Sequence, residues 1–129
     1  MSIEFWCLLG AMTLGLIHLT FASFAFKRQV GNAYTMGARD GGLQPNGIAG
    51  RLARAQSNFL ETFPIFVAAV LMVHFLGREN GLSSTGALLY IAGRSAYLPL
   101  YALGIPIVRS LAWKVATLGL VLVMIRIAL

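Results

Sequence analysis

Residues Phe5–Phe26, FWCLLGAMTLGLIHLTFASFAF, run for 22 positions without a charged side chain. A helix needs about 20 mostly apolar residues to cross a bilayer, so this stretch is long enough to span one. Lys27 and Arg28 end it. It is longer than the roughly 7 to 15 apolar residues of a signal-peptide core, and no basic segment precedes it, Glu4 being the only early charge. It is therefore expected to persist as a first membrane helix.

The remaining sequence is of the same character. Of 129 residues 58% are apolar and only 11% are Asp, Glu, Lys or Arg, with a mean hydropathy of +0.79. Soluble domains are about 45 to 50% apolar and about 25% charged, which excludes a cytosolic globule. The apolar residues form continuous runs, where a membrane barrel would show alternating segments of about 10 residues. Four spanning helices would use roughly 80 positions, so the expected fold is an all-α integral membrane protein: a single domain over 1–129 built as a four-helix bundle. The spans fall at about 5–26, 50–77, 82–104 and 107–128. Between the first two, about 27–49 holds Gly31, Gly37, Gly41, Gly42 and Gly47 around the turn Gln44-Pro45-Asn46-Gly47, the composition of a loop. Arg78-Glu79-Asn80-Gly81 makes a short turn, and Pro106 breaks the chain before the last helix.

Ten basic residues against four acidic ones give a net charge of +6. In a soluble protein that balance would raise nucleic-acid binding. Here sorting of positive charge to the cytoplasmic side accounts for it, and no nucleic-acid partner is expected. Lys27, Arg28, Arg39, Arg51, Arg54, Arg109 and Lys114 fall on one side and only Arg78 and Arg126 on the other, which places both termini outside and the large loop in the cytoplasm.

Two polar rows interrupt the apolar helices. Arg51, Arg54, Asn58 and Glu61 are spaced i, i+3, i+7, i+10 along the second helix and share one face. The arginines alone could be topology signals that snorkel to the interface. Asn58 and Glu61 have no such role, and a carboxylate inside a spanning helix needs a partner. Tyr90, Arg94, Tyr97 and Tyr101 form a second row at i, i+4, i+7, i+11 in the third helix. A charge at mid-helix costs about 2.5 to 3.5 kcal/mol on insertion scales, so Arg94 is expected to face protein or a wet cavity. A buried pair with Glu61, a direct contact to ligand, or both would satisfy it. Tyr90 and Tyr101 fit the interfacial belt; Tyr97 does so least well. The two rows make a polar pocket opening toward the cytoplasm with arginines in excess, suited to a small anion because guanidinium forks pair bidentately with carboxylates. Arg109 is placed to add a further cation.

Other chemistry has little to stand on. Cys7 is the only cysteine, which excludes an internal disulfide and a cysteine zinc site. His18 and His74 lie in different helices without a helical pairing or nearby carboxylates, so helix contacts are expected of them and no metal. Neither a phosphate-binding glycine loop nor a serine nucleophile elbow is present.

The run Arg51–Phe66, RLARAQSNFLETFPIF, resembles the second-helix motif of the MAPEG family, the membrane-associated proteins in eicosanoid and glutathione metabolism. Gly93-Arg94-Ser95-Ala96-Tyr97, then Tyr101, then Arg109-Ser110, is similar to the family's second block, so the resemblance covers nearly the whole chain. It implies a homotrimer of four-helix subunits binding glutathione as co-substrate between neighbours near the cytoplasmic face. Matched by position, Arg51, Arg54, Asn58, Glu61, Tyr97 and Tyr101 would hold the tripeptide, Arg94 would brace the site, and Arg109 with Ser110 would act at the sulfur. The glycine-rich loop around Ala38-Arg39-Asp40 looks like that of bacterial members and points to a bacterial inner membrane. Ser57 departs from the pattern, since several eukaryotic members carry an extra arginine there, and Tyr97 stands where the prostaglandin branch has histidine.

Glutathione suits the pocket on chemical grounds as well. Arginines would take its two carboxylates, Glu61 its ammonium, and a guanidinium near the sulfur would favour the thiolate, with Ser110 donating to it. The expected function is conjugation of lipophilic electrophiles or reduction of lipid hydroperoxides, the apolar substrate arriving from the bilayer. The alternatives are a non-catalytic membrane protein of the same fold binding lipid or another small anion, and a small multidrug transporter. The last needs a carboxylate open to a pore, commonly in helix one, and Phe5–Phe26 has none.

Overall fold

The computed structural model describes all 129 residues, and they form five helices without a strand: α1 Ile3–Val30, α2 Asn32–Met36, α3 Gly47–Phe75, α4 Gly81–Ala102 and α5 Pro106–Ala128. Three of them, α1, α3 and α5, are long and apolar enough to cross a membrane. α4 has the length, with 22 residues, but Ser83, Ser84, Thr85, Arg94, Ser95 and three tyrosines keep its hydropathy below theirs. The segment expected as loop, 27–49, is shorter than that. α1 continues to Val30, α2 adds five helical residues, and α3 already begins at Gly47. Gln29 orders the remainder by gripping it twice, donating to the Gln44 carbonyl and accepting from the Asn46 N–H.

α1 turns one stripe inward: Glu4, Cys7, Ala11, Leu14, His18 and Ala22 are buried, at steps of three or four. That spacing is the seam of a helix lying along a partner, here α3 and α4. The tightest packing is between α4 and α5, where Gly86 and Gly93 face Ala112, Ala116 and Gly119 with backbone against backbone. Lipid gives helices no hydrophobic reason to associate, so small residues that permit this approach carry the contact.

Both sharp turns are built alike. After α3 the Gly77 N–H donates to His74 and the Arg78 N–H to Val73; after α4 the Gly104 N–H donates to Tyr101 and the Ile105 N–H to Leu100. This pairing satisfies the last carbonyls and needs a left-handed residue, supplied by Gly77 at φ 63° and Gly104 at φ 72°. Pro106 then occupies the first turn of α5, where its missing N–H costs nothing. It starts the helix as much as it ends the one before, and so folds α5 back along α4 with Arg109 and Ser110 near Tyr101.

The opposite end of the bundle is closed by polar contacts. Glu4, 1% exposed, accepts from the hydroxyls of Ser83 and Ser84. Glu79 accepts from Ser2 at 2.7 Å and pairs with His74 at 3.1 Å, so His74 has the carboxylate partner that its spacing had not suggested. Partial burial works against the ionised form of Glu79, yet the hydrogen bonds from Ser2 and His74 and the charge of His74 outweigh it and hold the carboxyl below its ordinary value. A depressed carboxyl contributes stability above its unfolded pKa and loses it as pH falls through the folded one. Thermal stability in detergent is therefore expected to decline as pH drops below the ordinary carboxylate range, and Glu79→Gln to flatten that decline; an unchanged slope in the variant would assign the loss to other carboxyls.

Candidate functional site

At the loop end of the bundle α3, α4 and α5 enclose a cleft of about 610 Å³. From α3 it is lined by Arg54, Ser57, Asn58 and Glu61, from α4 by Tyr97 and Tyr101, and from α5 by Arg109, Ser110, Trp113 and Lys114. Helical periodicity explains the α3 set, since residues three and four apart share a face. Seven of the expected residues thus meet in one place, from segments far apart in sequence.

Tyr101 is the centre of the cationic wall. Arg54 donates through Nε to its hydroxyl at 3.1 Å, and the Arg109 guanidinium lies 4.6 Å from its ring centroid. The Tyr101 hydroxyl accepts this bond and keeps its own proton free to donate. Tyr97 packs beside it, with ring centroids 5.6 Å apart. The aromatic faces hold two like-charged guanidinium groups near one point, each attracted to the ring.

Arg94 stands behind this wall. It is 1% exposed, donates to the Asn58 side-chain oxygen at 2.8 Å, and lies 4.5 Å from the Tyr97 ring centroid. Of the partners expected for Arg94, the ion pair with Glu61 does not form: the chain's one such pair is His74–Glu79, and Glu61 is exposed in the cleft. Asn58 lies one turn before Glu61 and reaches the guanidinium with a neutral oxygen, which leaves the carboxylate free. A hydrogen bond to a charged group contributes about 1.5 to 3 kcal/mol. Through it Arg94 orients Asn58 from outside the cleft.

One further expectation, for Tyr90, is corrected, and the places of Arg51, Ser110 and His18 are as follows. Arg51 does not line the cleft; its side chain lies toward the Gly104 turn, one helical turn before Arg54. Tyr90 is not interfacial: it is fully buried, stacked on Phe66 at 4.0 Å and hydrogen-bonded to Thr62 at 3.0 Å. Ser110 lines the cleft, but its hydroxyl donates to the Pro106 carbonyl at 3.0 Å within its own helix. His18 is buried and stacks on Phe59 at 4.9 Å.

The family model described as MAPEG family matches residues 3–129. The chain belongs to the MAPEG family. No curated protein and no solved structure matches it. With three helices able to cross a bilayer, this MAPEG chain is a membrane protein. The two stretches that resemble the family's motifs are also the two walls of the cleft, α3 on one side and α4 with α5 on the other. Trp113 and Lys114 line the cleft although they had not been singled out for it, and Ser57, the departure from the family pattern, lies there too. Their signal was available: Trp113 and Lys114 stand three and four residues after Ser110, so a face carrying Ser110 carries them too.

Proposed function

We propose that this MAPEG protein is a membrane glutathione transferase or peroxidase acting on lipophilic electrophiles or lipid hydroperoxides. The observation that carries this reading is the convergence of Arg54, Asn58, Glu61, Tyr97, Tyr101 and Arg109 on one cleft within a chain of this family. Arg54 would take a glutathione carboxylate and Glu61, free of Arg94, the ammonium. Arg109 would stabilise the thiolate. Tyr101 is better disposed than Ser110 to donate a hydrogen bond to the sulfur, because its proton is uncommitted while that of Ser110 is held by Pro106.

The assembly belongs to the same proposal. Arg54, Ser57 and Glu61 are exposed on a single subunit, and such groups cannot face hydrocarbon without cost. A neighbouring subunit would cover them in a homotrimer with glutathione at the contacts and α4 as a fourth span, its polar row turned to the protein. The cationic loop end would face the cytoplasm and both termini the outside, with the bacterial inner membrane as the setting. A second reading, a non-catalytic binder of lipid or another small anion, is favoured by the engaged Ser110 hydroxyl.

Calorimetry on detergent-purified protein separates the two. Glutathione is expected to bind in the micromolar to low millimolar range, and Arg54→Ala to weaken it at least tenfold, the loss of one charge-assisted contact of about 1.5 to 3 kcal/mol. Folded, oligomeric wild type that binds no glutathione would leave the second reading.

A further inference from the structure

The cleft changes character along its length. α3 and α5 both run away from the loop end, so position along either helix measures depth. Arg54 and Arg109 stand at the mouth, both drawn to Tyr101. Glu61 follows Arg54 by seven residues and Lys114 follows Arg109 by five, which at about 1.5 Å per residue carries them about 10 Å and about 8 Å deeper. Each is the innermost residue that its helix contributes to the lining. The mouth is therefore cationic, while the deep end holds one carboxylate and one ammonium on facing walls.

Both deep charges are uncommitted. Glu61 and Lys114 are exposed, and neither forms an ion pair with the other or elsewhere, the chain's one pair being His74–Glu79. A carboxylate and an ammonium at membrane depth need partners, and these two line one cleft without meeting. The complement of that arrangement is a zwitterion placed between them. The γ-glutamyl end of glutathione is one. Its α-ammonium and α-carboxylate are borne by a single carbon, so the acceptor of the first fixes where the partner of the second must stand. With the ammonium on Glu61, the α-carboxylate is also at the deep end. Tyr101 keeps Arg54 and Arg109 at the mouth, Ser57 is neutral, and Asn58 is engaged with Arg94. The cation in place is Lys114. The charges then balance: Arg54, Arg109 and Lys114 meet two carboxylates and a thiolate, and Glu61 meets the ammonium.

We propose that Lys114 binds the α-carboxylate of the γ-glutamyl residue and, with Glu61, makes the deep end of the cleft a reader of a free α-amino-acid group. The glycine carboxylate then lies at Arg54 and the sulfur at Arg109. Lys114 lies outside the two stretches that resemble the family's motifs, so the assignment belongs to this chain's own sequence. It rests on the glutathione reading above and adds to it the direction of the tripeptide and a demand for an unmodified γ-glutamyl end.

Calorimetry on wild type, Lys114→Gln and Lys114→Arg tests it with three ligands: glutathione, γ-aminobutyryl-cysteinylglycine, which lacks only the α-carboxylate, and glutathione amidated at glycine. Lys114→Gln is expected to weaken glutathione about tenfold, the scale of one charge-assisted contact, and amidated glutathione by the same factor. The γ-aminobutyryl peptide should bind Lys114→Gln and wild type alike, because the group that Lys114 holds is already gone. Lys114→Arg should recover most of the loss. Trp113 adjoins Lys114 in the lining, so its fluorescence in a Trp6→Phe background should report filling of the deep end with the same order of affinities. Equal weakening of all three ligands would make Lys114 a general positive charge and overturn the proposal. Insensitivity of amidated glutathione alone would put the glycine carboxylate on Lys114 and overturn it by reversing the tripeptide. An unchanged glutathione Kd in Lys114→Gln overturns it as well, while leaving the transferase reading in place. The expected pattern in a protein that conjugates no electrophile would support the assignment and sink the transferase reading alone.

Discussion

Arg109→Ala is expected to lower kcat/KM for conjugation at neutral pH by about one to two orders of magnitude and to move the rising limb of its pH profile upward by about two units. A free thiol with pKa about 8.5 is only a few per cent thiolate at pH 7. A guanidinium within contact distance in a partly desolvated cleft interacts with an anion by a few kcal/mol, and each 1.36 kcal/mol is one pKa unit. A lowering of about two units makes the bound thiol mostly ionised at pH 7. The gain is smaller than the change in ionised fraction, because intrinsic nucleophilicity falls as the pKa falls. Arg109 is suited to this task by its seat on Tyr101, which fixes the guanidinium without neutralising it, as a carboxylate partner would. Arg109→Lys should retain most of the shift, since a point charge serves the sulfur nearly as well as a fork. Proton release on glutathione binding, from calorimetry in buffers of different ionisation enthalpy, reads the same quantity directly. A profile whose limb stays in place in Arg109→Ala would remove Arg109 from the sulfur and return the activation of the thiol to Tyr101.

The parts of this architecture that obey a period could be read from the chain. Arg54, Asn58 and Glu61 share a face because the helix repeats every 3.6 residues, and nothing about the tertiary structure is needed to know it. Tyr97 and Tyr101 follow by the same rule, and the cleft is where the two faces meet. What could not be read were pairings decided by reach and rotamer. Arg94 had two acceptors one turn apart on α3, and Asn58 took it, leaving Glu61 exposed. Arg51 belongs to the same row as Arg54, yet one turn of helix carries it out of the cleft and toward the Gly104 turn. Periodicity fixes direction around a helix, but the depth of a side chain along it depends on where the neighbouring helix ends. The Ser110 hydroxyl was lost to view for a different reason. In the first turn of α5 the Pro106 carbonyl is the nearest acceptor, and a local bond to a residue four back competes with any external one.

Gly119→Val is expected to be strongly destabilising. A Cβ at this position would stand 2.4 Å from the Gly86 carbonyl oxygen and 2.6 Å from the Tyr90 backbone nitrogen, with the Leu89 Cβ at 2.9 Å. The first two are backbone atoms of a regular helix and the third is a Cβ fixed by the backbone, so no rotamer change relieves them and α4 and α5 must move apart. Overpacking commonly costs about 1 to 3 kcal/mol, and a clash with backbone on the facing helix belongs at or above the top of that range. Separation is especially expensive here, because close van der Waals contact is much of what holds helices together in lipid. The effect reaches the cleft, since α5 carries Arg109, Ser110 and Lys114 while α4 carries Tyr97 and Tyr101. Glutathione affinity should therefore fall with the melting temperature. Gly81→Ala, where nothing lies within 4 Å, and Gly10→Ala, whose nearest neighbour is Ile91 at 3.4 Å, should leave both within error of wild type. Thermal unfolding in one detergent, with gel filtration of the unheated samples, compares all three. Gly86 and Gly119 share a single contact, so Gly86→Ala added to Gly119→Val should cost much less than it does alone, the two helices being already apart. Additive losses, or a Gly119→Val protein that melts with wild type, would mean that the backbone contact between α4 and α5 does not hold the bundle together.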